Sequence, residues 1–181
     1  MKYFPPKLWL DFNSRSEKTR NTADRTWKRS FRRYKRSLRK TLPGLNRGAR
    51  KFFEDALLLH DGTLNRMEVG DQIDQIAGPG RSTDLDSRNA RVRLFVLPRV
   101  GTYICELEYR LVSGVHLEFP GRISLFPAGE FPNFGDWGYD ELSRGLDGIF
   151  QHEILFSSGA SISIHFREFG VRRKRIRDFS R

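Results

Sequence analysis

Apolar positions from Ser14 onward fall at helical spacing. Trp27, Phe31, Tyr34 and Leu38 recur at steps of four, three and four, which sets them on one stripe of a helix. Ser14-Arg15-Ser16-Glu17 has the form of a capping box, in which hydroxyl and carboxylate satisfy amides that a first turn leaves orphaned. A long helix is therefore predicted to start there and to end at Pro43-Gly44. A shorter one is predicted from Asn46 to Leu57, with Ala49, Phe52, Phe53 and Ala56 at helical spacing. Residues 14–57 should form a helical hairpin across the Leu42 to Leu45 turn.

Past Leu59 the period changes from helical to alternating. Val92, Leu94 and Val96 alternate with Arg91, Arg93 and Phe95, and Tyr103, Cys105, Leu107, Tyr109 and Leu111 alternate with Ile104, Glu106, Glu108 and Arg110. Ser113-Gly114 and Pro120-Gly121 are turn signals that lead into Val115–Phe119 and Arg122–Phe126. Ser158-Gly159 joins Phe150–Phe156 to Ser161–Phe169. With a further strand near Leu64 to Val69, residues 58–169 are predicted to form an antiparallel meander of about six strands. The long and the short helix would pack on one of its faces, an α+β fold in a single domain.

Two stretches break the pattern. Gly70 to Asn89 is polar and reads as a linker loop, and its Gly78-Pro79-Gly80-Arg81-Ser82 lacks the lysine and glycine spacing of a phosphate-binding loop. Residues 127–148 read as a covering loop, in which Phe131, Phe134, Trp137 and Tyr139 stand among Pro, Gly and the acids Glu130, Asp136, Asp140, Glu141 and Asp147. Those rings either plug the sheet or line an acidic, aromatic groove for a partner.

Charge changes this picture more than composition does. The chain has 181 residues and a net charge of +11, and its 13% aromatic content is too high for a disordered polymer. The charge is unevenly spread, with +13 over residues 1–50, −7 over 51–166 and +5 over 167–181. No acidic residue occurs between Arg25 and Arg50, so like charges repel along that helix by a few tenths of a kcal/mol per neighbouring pair. Either the acidic middle of the chain offsets this repulsion or an external polyanion does. Arg25, Lys28, Arg29, Arg32, Arg33, Arg36 and Arg39, together with Arg172, Arg173, Lys174 and Arg175 in a basic tail at 170–181, are the candidate polyanion-binding residues.

Catalytic signals are weak. The single cysteine, Cys105, excludes an intramolecular disulfide and a cysteine-based zinc site, and fits a reducing, cytoplasmic setting. No stretch is apolar enough for a membrane span. His60, His152 and His165 are a conceivable metal set if the strands bring them together, yet no metal-binding, nucleophile or nucleotide motif accompanies them. No cofactor, metal site or catalytic residue is assigned.

Met1-Lys2-Tyr3-Phe4, Leu8-Trp9, Leu59-His60-Asp61, Tyr139-Asp140-Glu141, His152-Glu153-Ile154-Leu155-Phe156-Ser157-Ser158-Gly159 and Ile164-His165-Phe166 together resemble an uncharacterised family of small bacterial proteins. The resemblance implies a helix-plus-sheet layout and a bacterial source, and no activity. The nearly acid-free helix and Arg172-Arg173-Lys174-Arg175 are more extreme than that family's pattern. The expected function is a non-enzymatic module contacting RNA or DNA through its basic helix and tail. The alternatives are an interaction or immunity-type protein that binds an acidic partner or uses the aromatic loop around Trp137, and, third, a metal-dependent enzyme.

Overall fold

The computed structural model describes residues 1–55, 58–72, 89–119 and 134–176. Three α-helices come first: α1 (Pro6–Phe12), α2 (Glu17–Thr41) and α3 (Arg47–Glu54). α2 carries the predicted stripe, with Ala23, Tyr34, Leu38 and Thr41 buried and Trp27 and Phe31 partly buried against the core. Its cap lies two residues later than the sequence pattern indicates. The Ser16 hydroxyl accepts the Thr19 N–H at 3.3 Å, while Ser14 accepts the Ser16 N–H at 3.2 Å, a side-chain turn that leads into the helix. Asn46 caps α3, which ends at Glu54; Ala56 and Leu57 lie outside the described residues. α1 has no counterpart in the sequence reading.

The α+β class holds, but the single meander of about six strands is corrected to two antiparallel sheets of four. β1 (Thr63–Gln72), β2 (Asn89–Leu97), β3 (Tyr103–Arg110) and β8 (Glu168–Arg175) form the first sheet in the order β1-β2-β3-β8. β4 (Gly114–Glu118), β5 (Trp137–Arg144), β6 (Phe150–Phe156) and β7 (Ser161–Phe166) form the second in the order β4-β7-β6-β5. The turn signal at Ser113-Gly114 is a crossing between sheets rather than a hairpin. Val112 N–H still bonds to Ala90 on β2, while Ser113 N–H already bonds to His165 on β7. Leu111 makes the bend at φ +52°.

Two further expectations are revised. Trp137–Arg144, read as part of a loop, is strand β5, and residues 170–175 of the predicted tail belong to strand β8 paired with β3, while 177–181 lie outside the described residues. The predicted strand Arg122–Phe126 and residues 73–88 of the linker loop lie outside the described residues.

The inner faces of the sheets meet across Tyr109 on β3, whose ring lies 5.1 Å from Phe166 on β7 and 5.9 Å from His152 on β6. The two sheets are also stitched at the β1/β5 margin, where Asp61 N–H donates to Trp137 O at 2.8 Å and Trp137 N–H donates to Gly62 O at 2.6 Å. A side chain at Gly62 would meet the Leu59 carbonyl at 2.9 Å, so this close approach needs glycine. α2 packs against β5, and the Tyr34 hydroxyl accepts the Leu142 N–H at 2.9 Å, which satisfies a backbone donor on that edge strand. α3 packs against β8, where Asn46 Nδ2 donates to Phe169 O at 2.6 Å. One hydrophobic cluster joins the three helices to every strand but β4.

Candidate polyanion-binding surface

Arg25, Arg29, Arg32, Arg36 and Arg39 recur at steps of four, three, four and three, the same period as the apolar stripe but two residues out of phase with it. At about 100° per residue they form a line along the side of α2 opposite the core. All five are exposed, as are Lys28, Arg33, Lys35 and Lys40. Arg29, Arg32, Arg33, Lys35, Arg36 and Arg39 line one open furrow, and Tyr3, Arg33, Arg36, Ser37, Arg39 and Lys40 line a second. Arg33, Arg36 and Arg39 belong to both and form the ridge between them. Neither furrow carries an acidic side chain.

The acidic middle of the chain does not pair with this surface among the described residues. Among the described residues, the one ion pair that involves α2 is Lys28–Asp24 at 2.7 Å, a helical i,i+4 pair. Three carboxylates of the first sheet find partners on that sheet. Glu68 lies 3.2 Å from Arg66 and 3.4 Å from Arg93, Glu108 lies 3.3 Å from Arg91, and Glu168 lies 3.3 Å from Arg110. These are cross-strand and neighbouring pairs on the outer face of the first sheet.

β8 consumes half of the presumed tail. Lys174 Nζ lies 2.6 Å from the buried Glu106 carboxylate, an ion pair whose angle falls outside hydrogen-bond geometry, and the Arg173 guanidinium stacks over Tyr103 at 5.0 Å. Arg172 and Arg175 remain exposed, on a strand that packs against α3.

The aromatic candidates are packed rather than offered. Trp137 is 1% exposed, with Phe156 at 5.7 Å and His152 at 6.0 Å, so its role as a partner-binding residue is corrected to core. Tyr139 sits among Phe4, Trp9, Trp27 and His60, and Phe134 packs on Phe119 and Phe156. Phe131 lies outside the described residues.

The histidines do not converge. On the β6/β7 ladder His152 faces Ile164 while Gln151 faces His165, so the two imidazoles point to opposite sides of the sheet. His60 pairs with Asp61 at 3.0 Å, and no group of three His, Cys, Asp or Glu side chains is placed to hold a metal among the described residues. His152 is instead the centre of a buried polar chain. Its Nε2 lies 2.9 Å from Asp140 Oδ2 and its Nδ1 lies 2.7 Å from the Tyr109 hydroxyl. These partners assign the proton to Nε2, donated to Asp140, and make Tyr109 the donor to Nδ1. Burial, then the Asp140 charge, push the Tyr109 hydroxyl well above its ordinary range, which keeps that proton in place. The cavity beside Asp140 and Tyr34 measures about 10 Å³, room for one water at most and none for a substrate.

Lys35, Ser37, Lys40 and Tyr3 line the furrows without having been candidates; the first three lie on α2 itself, and Tyr3 was missed because it arrives there through a contact made far along the chain. The Glu141 carboxylate accepts the backbone N–H groups of Lys2, Tyr3 and Phe4 at 2.8, 2.7 and 2.6 Å, and this anchors the first residues against α2. No local pattern around Tyr3 encodes a partner some 140 residues away. No family model, no curated protein and no solved structure matches the chain.

Proposed function

We propose that this chain is a binding module that holds the phosphate backbone of RNA or DNA on the exposed face of α2. One observation carries the reading: Arg29, Arg32, Arg33, Arg36 and Arg39 stand along one helix face with no ion pair among the described residues, while the sheet carboxylates are paired elsewhere. Such a face bears an unfavourable self-repulsion that phosphates relieve, with release of their counterions. The rings of α2 are turned into the core, so contact is through charge rather than base stacking. Arg172 and Arg175 are left as secondary contacts, and Lys174 and Arg173 are engaged within the first sheet.

The test is fluorescence anisotropy of nuclease-treated protein with short RNA and DNA at about 50 and 200 mM salt. Engagement of about five phosphates weakens binding by two to three orders of magnitude over that range. Replacing Arg29, Arg32, Arg33 and Arg36 together with Glu should abolish binding while the circular dichroism stays unchanged, since all four side chains are exposed. Binding that survives the replacement overturns the reading. Absence of binding at low salt does so as well, and leaves an acidic protein as the partner to seek.

A further inference from the structure

We infer that the partner is double-helical B-form DNA, with the C-terminal half of α2 lying in its major groove. This rests on the nucleic-acid reading above and concerns which nucleic acid the surface fits. A ridge formed by Arg33, Arg36 and Arg39 runs between two open furrows, one walled further by Arg29, Arg32 and Lys35 and the other by Lys40, Ser37 and Tyr3, with no acid lining either. A ridge with basic furrows on both flanks complements a groove with a phosphate backbone on each side. A single strand presents only one such line of phosphates, and it is usually held by exposed rings on which bases stack. α2 offers no such platform. Trp27 and Phe31 stack on each other at 5.0 Å over Phe4, and Lys35 covers Phe31 at 4.9 Å.

Groove dimensions select among duplexes. An α-helix with its side chains is about 10–12 Å across, which matches the B-DNA major groove, about 12 Å wide and 8.5 Å deep, and exceeds the minor groove of about 6 Å. In A-form RNA the major groove is too narrow for side chains to read, and the minor groove is too shallow to seat a ridge between two backbones.

Among the described residues, Tyr3 is the one side chain from outside α2 that lines the furrows on this part of the helix. α1 flanks only its first half, where Pro5, Lys7, Leu8 and Asp11 lie along Lys18, Thr19, Thr22, Ala23 and Thr26. From Lys28 to Lys40 the exposed face runs about 18 Å at 1.5 Å per residue, the length of roughly five base pairs. Arginine is the one side chain on the ridge able to reach a base edge, and its pairing is with guanine O6 and N7, so any preference is for G·C steps.

The experiment uses the full chain with one sequence of about 16 base pairs prepared as duplex DNA, duplex RNA and single strands, together with dimethyl sulfate footprinting of the DNA. The expected result is duplex DNA bound at least tenfold more tightly than duplex RNA or either strand at equal salt. Guanine N7, in the major groove, should be protected, and adenine N3, in the minor groove, should stay reactive. Arg36→Ala should lose both the protection and the DNA preference. Equal or tighter binding of RNA or of single strands, or protection confined to N3, overturns the inference and leaves the general polyanion reading standing. No binding to any of the four removes the reading on which it rests.

Discussion

Phe4 donates its backbone N–H to the carboxylate of Glu141 at 2.6 Å, across 137 residues of chain. Lys2 and Tyr3 donate to the same carboxylate, so three consecutive amides close around one side chain that is itself 3% exposed. The Phe4 ring then stacks on Tyr139 at 5.3 Å and meets Tyr34 edge-on at 5.7 Å, which joins the first residues to both β5 and α2. Tyr3 is carried into the second basic furrow by this clamp. Local order at the chain start and the shape of the arginine surface thus depend on one carboxylate.

Burial pushes the Glu141 carboxyl above its ordinary range, against the opposing pull of the three N–H groups and the Met1 amine. A carboxyl raised in the folded state costs stability wherever both folded and unfolded forms are ionised. That cost is complete above the folded value and fades as pH falls through it toward the ordinary carboxylate range. The unfolding free energy of the wild type minus that of Glu141→Gln should therefore increase as pH is lowered from about 7 toward about 4.5, as read by urea denaturation. Glu141→Leu, which strands three amides, should cost about 3 kcal/mol or more. A flat difference across that range shows that the carboxylate is not titrating as buried.

The Asp140–His152–Tyr109 chain is fully internal at its histidine, and its cost should appear on truncation of either end. Tyr109→Phe leaves Nδ1 without a donor in a dry core and is expected to lose about 1–3 kcal/mol. His152→Ala adds a cavity between Phe53, Tyr109 and Trp137 and should lose about 3 kcal/mol or more. A double-mutant cycle between Tyr109→Phe and Asp140→Asn measures whether the two ends act through the imidazole; a coupling energy near zero assigns them independent roles.

Cys105 lies on the inner face of β3 at 0% exposure, and burial pushes its thiol up to about 11. The nucleophile is the thiolate, so the native protein should resist iodoacetamide at about pH 7.5 and react fully in about 6 M guanidinium. Labelling of the native state at the unfolded rate places this thiol outside the core.

Where the sequence pattern was followed by the structure, the signal was local. α2 declares itself because its stripe and its basic face are both spaced along one helix, and the strands β2 and β3 because Val92, Leu94 and Val96 and Cys105, Leu107 and Tyr109 alternate. The misreadings at β5 and Trp137 involve side chains whose partners are distant. β5 looked like a loop because Asp140 and Glu141 break its apolar pattern, yet His152 satisfies the first and the amides of residues 2–4 satisfy the second. Trp137 looked available because Gly and Pro surround it, whereas its backbone is tied to Asp61 and Gly62 and its ring is enclosed by β6. The basic line on α2 was legible and its lack of ion partners among the described residues was not, since that depends on where Glu106 and Glu108 fall after the sheet forms.

Lys174 shows the same principle within the presumed tail. Arg172-Arg173-Lys174-Arg175 reads as an undifferentiated basic run, but register on β3 places Arg172 opposite Glu106 and Lys174 opposite Ile104, with the Lys174 ammonium reaching back to Glu106 at 2.6 Å. The Glu106 side chain is 4% exposed, so removing its ion-pair partner leaves a buried carboxylate without compensation. Lys174→Met keeps the apolar stem and removes the charge, which should cost about 1–3 kcal/mol by stranding a buried carboxylate. Arg172→Ala and Arg175→Ala, both exposed and without ion pairs among the described residues, should each change stability by no more than about 0.5 kcal/mol. Denaturant midpoints of the three variants separate a structural lysine from surface arginines. If instead all three are neutral for stability while Lys174→Met weakens nucleic-acid binding, the lysine belongs to the binding surface and the basic run acts as a unit.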